Sequence, residues 1–148
     1  MTEEEFSFFG FRMIDNNQNE INLSQFQEKD VIVVVNCKLI EETEQRAPLY
    51  TKIEDKFEKR VQILCIPAGR LCLPASKFFY EGHQDDESLR LICFLKAKAN
   101  CRIPINDEDG LVFVIDNNAH NVGKEVISCV GRNLTQNQVS DEIIKHLN

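Results

Sequence analysis

Val31-Ile32-Val33-Val34-Val35-Asn36 is the stretch that decides how this chain folds. Its five β-branched residues favour extended backbone, where a branched side chain packs against its neighbours at little rotamer cost. A run without polar alternation suits a strand buried on both faces, as in a sheet covered by helices. Just downstream, residues 43–59 carry Ala47, Tyr50, Ile53 and Phe57 at helical spacing with charges between them. Val61 to Ile66 then form a second buried strand, and Pro67-Ala68-Gly69-Arg70 breaks it. Strand, helix, strand in this order implies a right-handed crossover and a parallel pair.

Toward the N-terminus, residues 6–14 alternate loosely, meet a turn at Asp15-Asn16-Asn17 and become apolar again at Ile21 and Leu23. That pattern reads as a hairpin, an extension over residues 1–27 ahead of a core over 28–148. Asp15, Asn17 and Asn19 have the spacing of a calcium loop, but Glu20 stands where the loop needs glycine and Phe26 where it needs a carboxylate. Toward the C-terminus, Pro74 interrupts the chain, and Ser88 to Ala97 suit a helix with Leu89, Ile92, Cys93 and Leu95 as its apolar groups. Pro104 to Gly110 form an acidic turn before a third strand, Leu111 to Ile115. Asp116-Asn117-Asn118 turns the chain, and Val122 to Val130 return antiparallel. A last helix starts near Thr135 or Asn137 and buries Val139, Ile143, Ile144 and Leu147, with Thr135 and Gln138 as a capping box. The order β-β-β-α-β-α-β-β-α fits an α/β, thioredoxin-like core, although flavodoxin-like folds share its first half.

The chain has 148 residues, which fits a single domain, and 43% of them are apolar, enough for one sizeable core. A net charge of −7 repels phosphate backbones and disfavours nucleic acid as a partner. The longest aliphatic run, Val31 to Val35, is far below the roughly 20 residues a membrane span requires. The opening Met-Thr-Glu-Glu-Glu-Phe has no basic region followed by an apolar one. Cytoplasmic location is therefore the default, which leaves delivery into an organelle by another route open. Cysteines stand at 37, 65, 72, 93, 101 and 129, none in a Cys-x-x-Cys pair, so zinc and dithiol motifs are weak. Asn22 and Asn133 match the glycosylation pattern, by chance in a chain without a secretory route.

Local sequences sharpen the fold. Phe6-Ser7-Phe8, Ile21-Asn22-Leu23-Ser24 and Val33-Val34-Val35-Asn36 resemble the opening of the glutathione peroxidase family. Ile63-Leu64-Cys65-Ile66-Pro67 looks like the family strand that ends in Phe-Pro, and Phe113-Val114-Ile115-Asp116 like its late strand ending in Val-Asp. The resemblance covers most of the chain in order, with no single motif intact. It implies a three-layer sandwich with a central mixed sheet, and a helix led by a peroxidatic cysteine or selenocysteine after the strand asparagine.

The departures from the family carry the functional expectation. Five residues beyond Asn36, where the family places its nucleophile, stands Glu41, and Glu42 replaces the following glycine. Arg70 matches the family's catalytic Gln, and Gly69 matches its Asn neighbour. The family's Trp-Asn pair falls near Glu108 and Asp109, and the chain has no Trp. The helical segment that precedes that pair in the family is largely missing between Cys101 and Gly110. Peroxide reduction needs a soft, low-pKa nucleophile with donors around the departing oxygen. A carboxylate is neither soft nor redox-active, and at a helix start it is favoured simply by the positive helix end. Glu41, Arg70, Glu108 and Asp109 thus mark a vestigial site, without cofactor or metal, and Arg70 is placed to pair with Glu41 or Glu42.

Three functions follow. The first is a non-catalytic module that binds protein or serves as a structural subunit, with other proteins or a second copy of itself as partner. Phe78, Phe79 and Tyr80 are its candidate contacts, because three consecutive aromatics cannot all face one core. The second is a divergent thiol peroxidase or thiol-disulfide oxidoreductase that uses Cys37, next to the strand asparagine, with or without Cys72. The third is small-ligand binding in the old pocket through Arg70. Cys65 and Cys93 lie in apolar stretches and read as core thiols, Cys129 as structural and Cys101 as exposed. His83, His120 and His146 have no partner at metal-ligand spacing and read as surface or turn residues.

Overall fold

The computed structural model describes residues 7–14, 20–37, 40–58, 60–67, 73–74, 86–102, 111–117, 125–132 and 134–147. After a 3-10 turn at Phe8–Gly10, β1 (Arg12–Ile14) and β2 (Glu20–Asn22) pair as an antiparallel hairpin. A second 3-10 turn at Leu23–Phe26 leads into β3 (Val31–Cys37), α1 (Ile40–Lys56), β4 (Val61–Pro67) and β5 (Leu73–Pro74). α2 (Asp86–Ala99), β6 (Leu111–Asp116), β7 (Val126–Arg132) and α3 (Gln136–His146) complete the chain.

The main sheet has the order β5-β4-β3-β6-β7. β3 and β4 are parallel, as the strand-helix-strand order requires, and β6 pairs antiparallel with both β3 and β7. The sheet is therefore mixed, with β3 at its centre. β5 is an addition that sequence reading did not anticipate: Leu73 and Pro74 pair with Cys65 and Leu64. A proline is tolerated there because the strand is at the edge.

The β-branched run behaves as its composition demands. Side chains alternate across the pleat, so Ile32 and Val34 enter one core layer and Val31, Val33 and Val35 the other. On the first face they meet Leu91, Ile92 and Leu95 of α2, together with Phe8, Met13 and Leu23 from the N-terminal segment. On the second they meet Tyr50 and Ile53 of α1 and Val139 and Ile143 of α3. The result is a three-layer sandwich. Each buried aliphatic side chain contributes about 1.5–3 kcal/mol, and both faces of β3 collect that contribution. The interior Pro48 of α1 cannot donate to the preceding turn, a local cost of about 3 kcal/mol. Tyr50 and Ile53, packed on the sheet, hold the helix through it.

Helix faces are less faithful to the sequence pattern. Ile144 was expected in the core but is half exposed, because the inward stripe of α3 runs through Val139, Ser140 and Ile143 instead. Cys93 was expected as a core thiol and is exposed, one position round from the buried Leu91, Ile92 and Leu95. The Thr135–Gln138 capping box forms in both directions, at 3.2 and 2.8 Å. β7 runs to Arg132, past the expected end, by way of a bulge. Val112 faces Gly131 while Phe113 faces Cys129, which leaves Val130 as the extra residue. Gly131 sits at φ +145°, a conformation that side-chain-bearing residues rarely adopt.

Candidate functional site

In an open α/β sheet, sites form where the parallel strands end and the chain turns over into loops and helices. Here that end is fixed by three backbone registers. Asn36 and Cys37 of β3 lie opposite Ile66 and Pro67 of β4, and Asn36 lies opposite Leu111, the first residue of β6. α1 starts at Ile40, three positions after Cys37, so Glu41 and Glu42 occupy the second and third positions of its first turn. That is the helix start expected for Glu41. An acidic residue in the first turn of a helix generally gains about 0.3–1 kcal/mol from the positive helix end.

Cys37 is also placed at this mouth as the last residue of β3. Asn36 is a buried polar residue there, 5% exposed. The remaining candidates, Arg70, Cys72, Glu108, Asp109, Phe78, Phe79 and Tyr80, lie outside the described residues.

Four polar arrangements in the described residues were not foreseen. Glu54 of α1 reaches over the edge of β4, where its Oε2 accepts from the Ile63 N–H at 2.9 Å and from Gln62 Nε2 at 3.0 Å. The carboxylate thus satisfies a backbone donor of β4. Burial raises the Glu54 pKa above the ordinary glutamate value; the Ile63 N–H and the Lys29 charge oppose the rise, and Asp55 adds to it. Ser7 Oγ and the Phe8 N–H both donate to Glu125 Oε2, at 2.8 and 2.9 Å, and so tie the N-terminal segment to the start of β7. His146 Nδ1 and Asp116 Oδ2 lie 2.8 Å apart, which gives the histidine a partner its sequence position did not suggest.

The fourth is a thiol pair. Cys101 Sγ and Cys129 Sγ are 3.2 Å apart, and both residues are half buried against the α2-side core. Cys101 is thus less exposed than expected of a polar loop. The Cys129 pKa is pushed up to about 11, first by burial and then by the hydrogen bond and charge of Cys101; the Gly131 backbone and Lys96 oppose the rise. The sequence signal was available in part, since Ile127 and Cys129 share the inward face of β7.

No helix among the described residues is long and apolar enough to cross a membrane. No family model matches the chain, and no curated protein matches it by sequence. Among solved structures it is similar to the crystal structure of Trgpx, a glutathione peroxidase, in apo form, at 21% identity and a TM-score of 0.60. The match covers 95% of this chain and 94% of that one. Mixed sheet, helix layers, N-terminal hairpin and this match over most of both chains agree: the chain has a thioredoxin-like fold of the glutathione peroxidase kind.

Proposed function

We propose that this chain is a non-catalytic glutathione-peroxidase-like module, working as a protein-binding or structural subunit of a larger assembly. One observation carries the proposal. Glu41 lies in the first turn of α1, directly beyond the end of β3, where the resembling family begins its helix with a thiol or selenol. A carboxylate at that place gains from the helix end and does no peroxide chemistry. The absence of any Trp removes another of the family's site residues. The core beneath is well formed, with Val31 to Val35 of β3 buried on both faces. A scaffold needs that core, while an enzyme also needs the site.

The partner is a protein, and its affinity comes from buried apolar and aromatic groups rather than from acidic rim residues. Phe78, Phe79 and Tyr80 are the proposed anchors. Affinity isolation of the tagged chain at physiological salt, followed by gel filtration, tests the role. A defined stoichiometric complex that Phe78→Ala and Phe79→Ala dissociate supports it. Recovery of the bare monomer alone under conditions that preserve complexes contradicts it.

Cys37 gives the competing reading a specific footing, because it stands at the same mouth in register with Pro67. A thiol peroxidase or thiol-disulfide oxidoreductase would use Cys37 as nucleophile, with Cys72 to resolve it. The two readings separate on whether peroxide is turned over at all.

A further inference from the structure

We infer that Cys101 and Cys129 are a disulfide-forming pair, oxidised by exchange with a low-molecular-weight disulfide of the glutathione type. Neither residue belongs to the mouth of the site, and the bond would join the end of α2 to the edge strand β7.

The geometry is set by two rigid elements. α2 ends in a Schellman cap: Asn100 takes φ +55°, the Asn100 N–H donates to the Ala97 carbonyl, and the Cys101 N–H donates to the Lys96 carbonyl at 2.9 Å. The cap fixes the Cys101 backbone immediately beyond the helix. Cys129 is fixed by strand pairing, in register with the fully buried Phe113. Both sulfurs thereby arrive on the same apolar layer, 3.2 Å apart. A disulfide has its sulfurs about 2.05 Å apart, so closure takes a movement of roughly 1 Å, within reach of side-chain rotation.

The chemistry runs in two exchanges. Cys101, as thiolate, attacks one sulfur of glutathione disulfide; that S–S bond breaks, one glutathione thiolate leaves, and Cys101 carries a mixed disulfide. Cys129 then gives its proton to solvent and attacks the Cys101 sulfur, and the second glutathione leaves as thiolate. Two protein thiols are oxidised to one disulfide, and one glutathione disulfide is reduced to two thiols. The order follows from the environments. Cys129 has its pKa raised, which makes it the poorer first nucleophile. Two causes of that rise, the hydrogen bond and the charge, come from Cys101 itself and weaken once Cys101 is capped. The closed ring holds β6, the strand next to the sheet centre, so the bond clamps β7 and α2 around it. Cys93, exposed on α2, serves as the internal reference thiol.

The test uses the full-length chain, equilibrated in graded glutathione and glutathione disulfide, acid-quenched, alkylated and digested with trypsin. Cleavage after Lys98, Arg102, Lys124 and Arg132 leaves Cys101 and Cys129 each alone in a short peptide. The expected result is a linked 99–102/125–132 pair, 2 Da lighter than the sum of the two reduced peptides. It should appear at buffer ratios where Cys93 is still largely free. Oxidation should raise the thermal midpoint by roughly 5–10 °C, and Cys101→Ser or Cys129→Ser should remove that rise. Asn100→Val, which disfavours the helix cap, should shift link formation to more oxidising buffer, and Asn100→Gly should not. Glutathionylation of Cys101 and Cys129 without a link, at buffer ratios that fully oxidise Cys93, would overturn the inference. So would links that join either residue only to another cysteine.

Discussion

The two ends of the sheet are finished differently. At the Val31–Val61 end, the Asp30 N–H donates to the Arg60 carbonyl at 2.9 Å, and Arg60 Nε donates to Asp30 Oδ2 at 2.7 Å. Asn117, only 2% exposed, gives its side-chain amide to the carbonyls of Gln27 and Lys29 and its N–H to that of Asp30. Asp116 and His146 meet beside it. The chain's own polar groups close this end, and buried donors find partners within the fold. At the Asn36–Ile66 end, the strands give way to a helix whose first turn holds Glu41 and Glu42. The difference teaches where stability and chemistry reside. The apolar layers run along β3 from Val31 to Val35, while the polar finish at one end serves the fold and at the other would serve a site. A chain can lose the second without losing the first.

If that division holds, core truncations should cost the same at either end. Ile32→Ala near the closed end and Leu111→Ala at the mouth each remove a fully buried side chain. Each should destabilise by about 2–5 kcal/mol in urea unfolding. A Leu111→Ala cost near zero would mean that the core stops short of the mouth.

Polar truncations should then diverge. Asn117→Ala strands two backbone carbonyls at the closed end and should cost about 1–3 kcal/mol. Glu41→Ala should change stability by no more than about 1 kcal/mol, the scale of a first-turn charge. Equal costs for the two would erase the contrast.

Glu54 sharpens the comparison through pH. Its raised pKa means that the folded chain holds this proton more tightly than the unfolded chain does. The resulting stabilisation is fully present below the ordinary glutamate pKa and is lost as pH rises through the raised folded value. Glu54→Gln abolishes that dependence and keeps an acceptor for the Ile63 N–H. Its stability relative to wild type should therefore improve from about pH 4 to about pH 7. A relative stability that falls over this range would contradict the burial of the carboxylate.

The pattern of what was legible in the sequence follows from the same physics. β3, β4 and β6 were readable because a strand buried on both faces has a continuous apolar run that few other structures tolerate. The capping box was readable because it is local. Ile144 and Cys93 were misplaced because helical spacing defines a stripe only to within one residue, and the neighbouring layer chooses its centre. Leu73–Pro74 was missed because a two-residue edge pairing leaves no periodic signal. The Cys101–Cys129 pair and the Asp116–His146 pair depend on residues about 30 apart, and only the register of β6 and β7 and the packing of helix ends bring them together. Of the site, Glu41 at the head of α1 followed from the spacing after Asn36, whereas Arg70, Cys72, Glu108 and Asp109 fall outside the described residues.

The central proposal is that the mouth carries no peroxidase chemistry although the described core beneath it is well buried. The most direct measurement is steady-state consumption of hydrogen peroxide and a lipid hydroperoxide by the purified, reduced chain, with glutathione or thioredoxin as reductant, beside a Cys37→Ala variant. The account predicts no turnover above the uncatalysed rate for either protein. Sustained turnover by the wild-type chain that Cys37→Ala abolishes would contradict it and make this protein an enzyme.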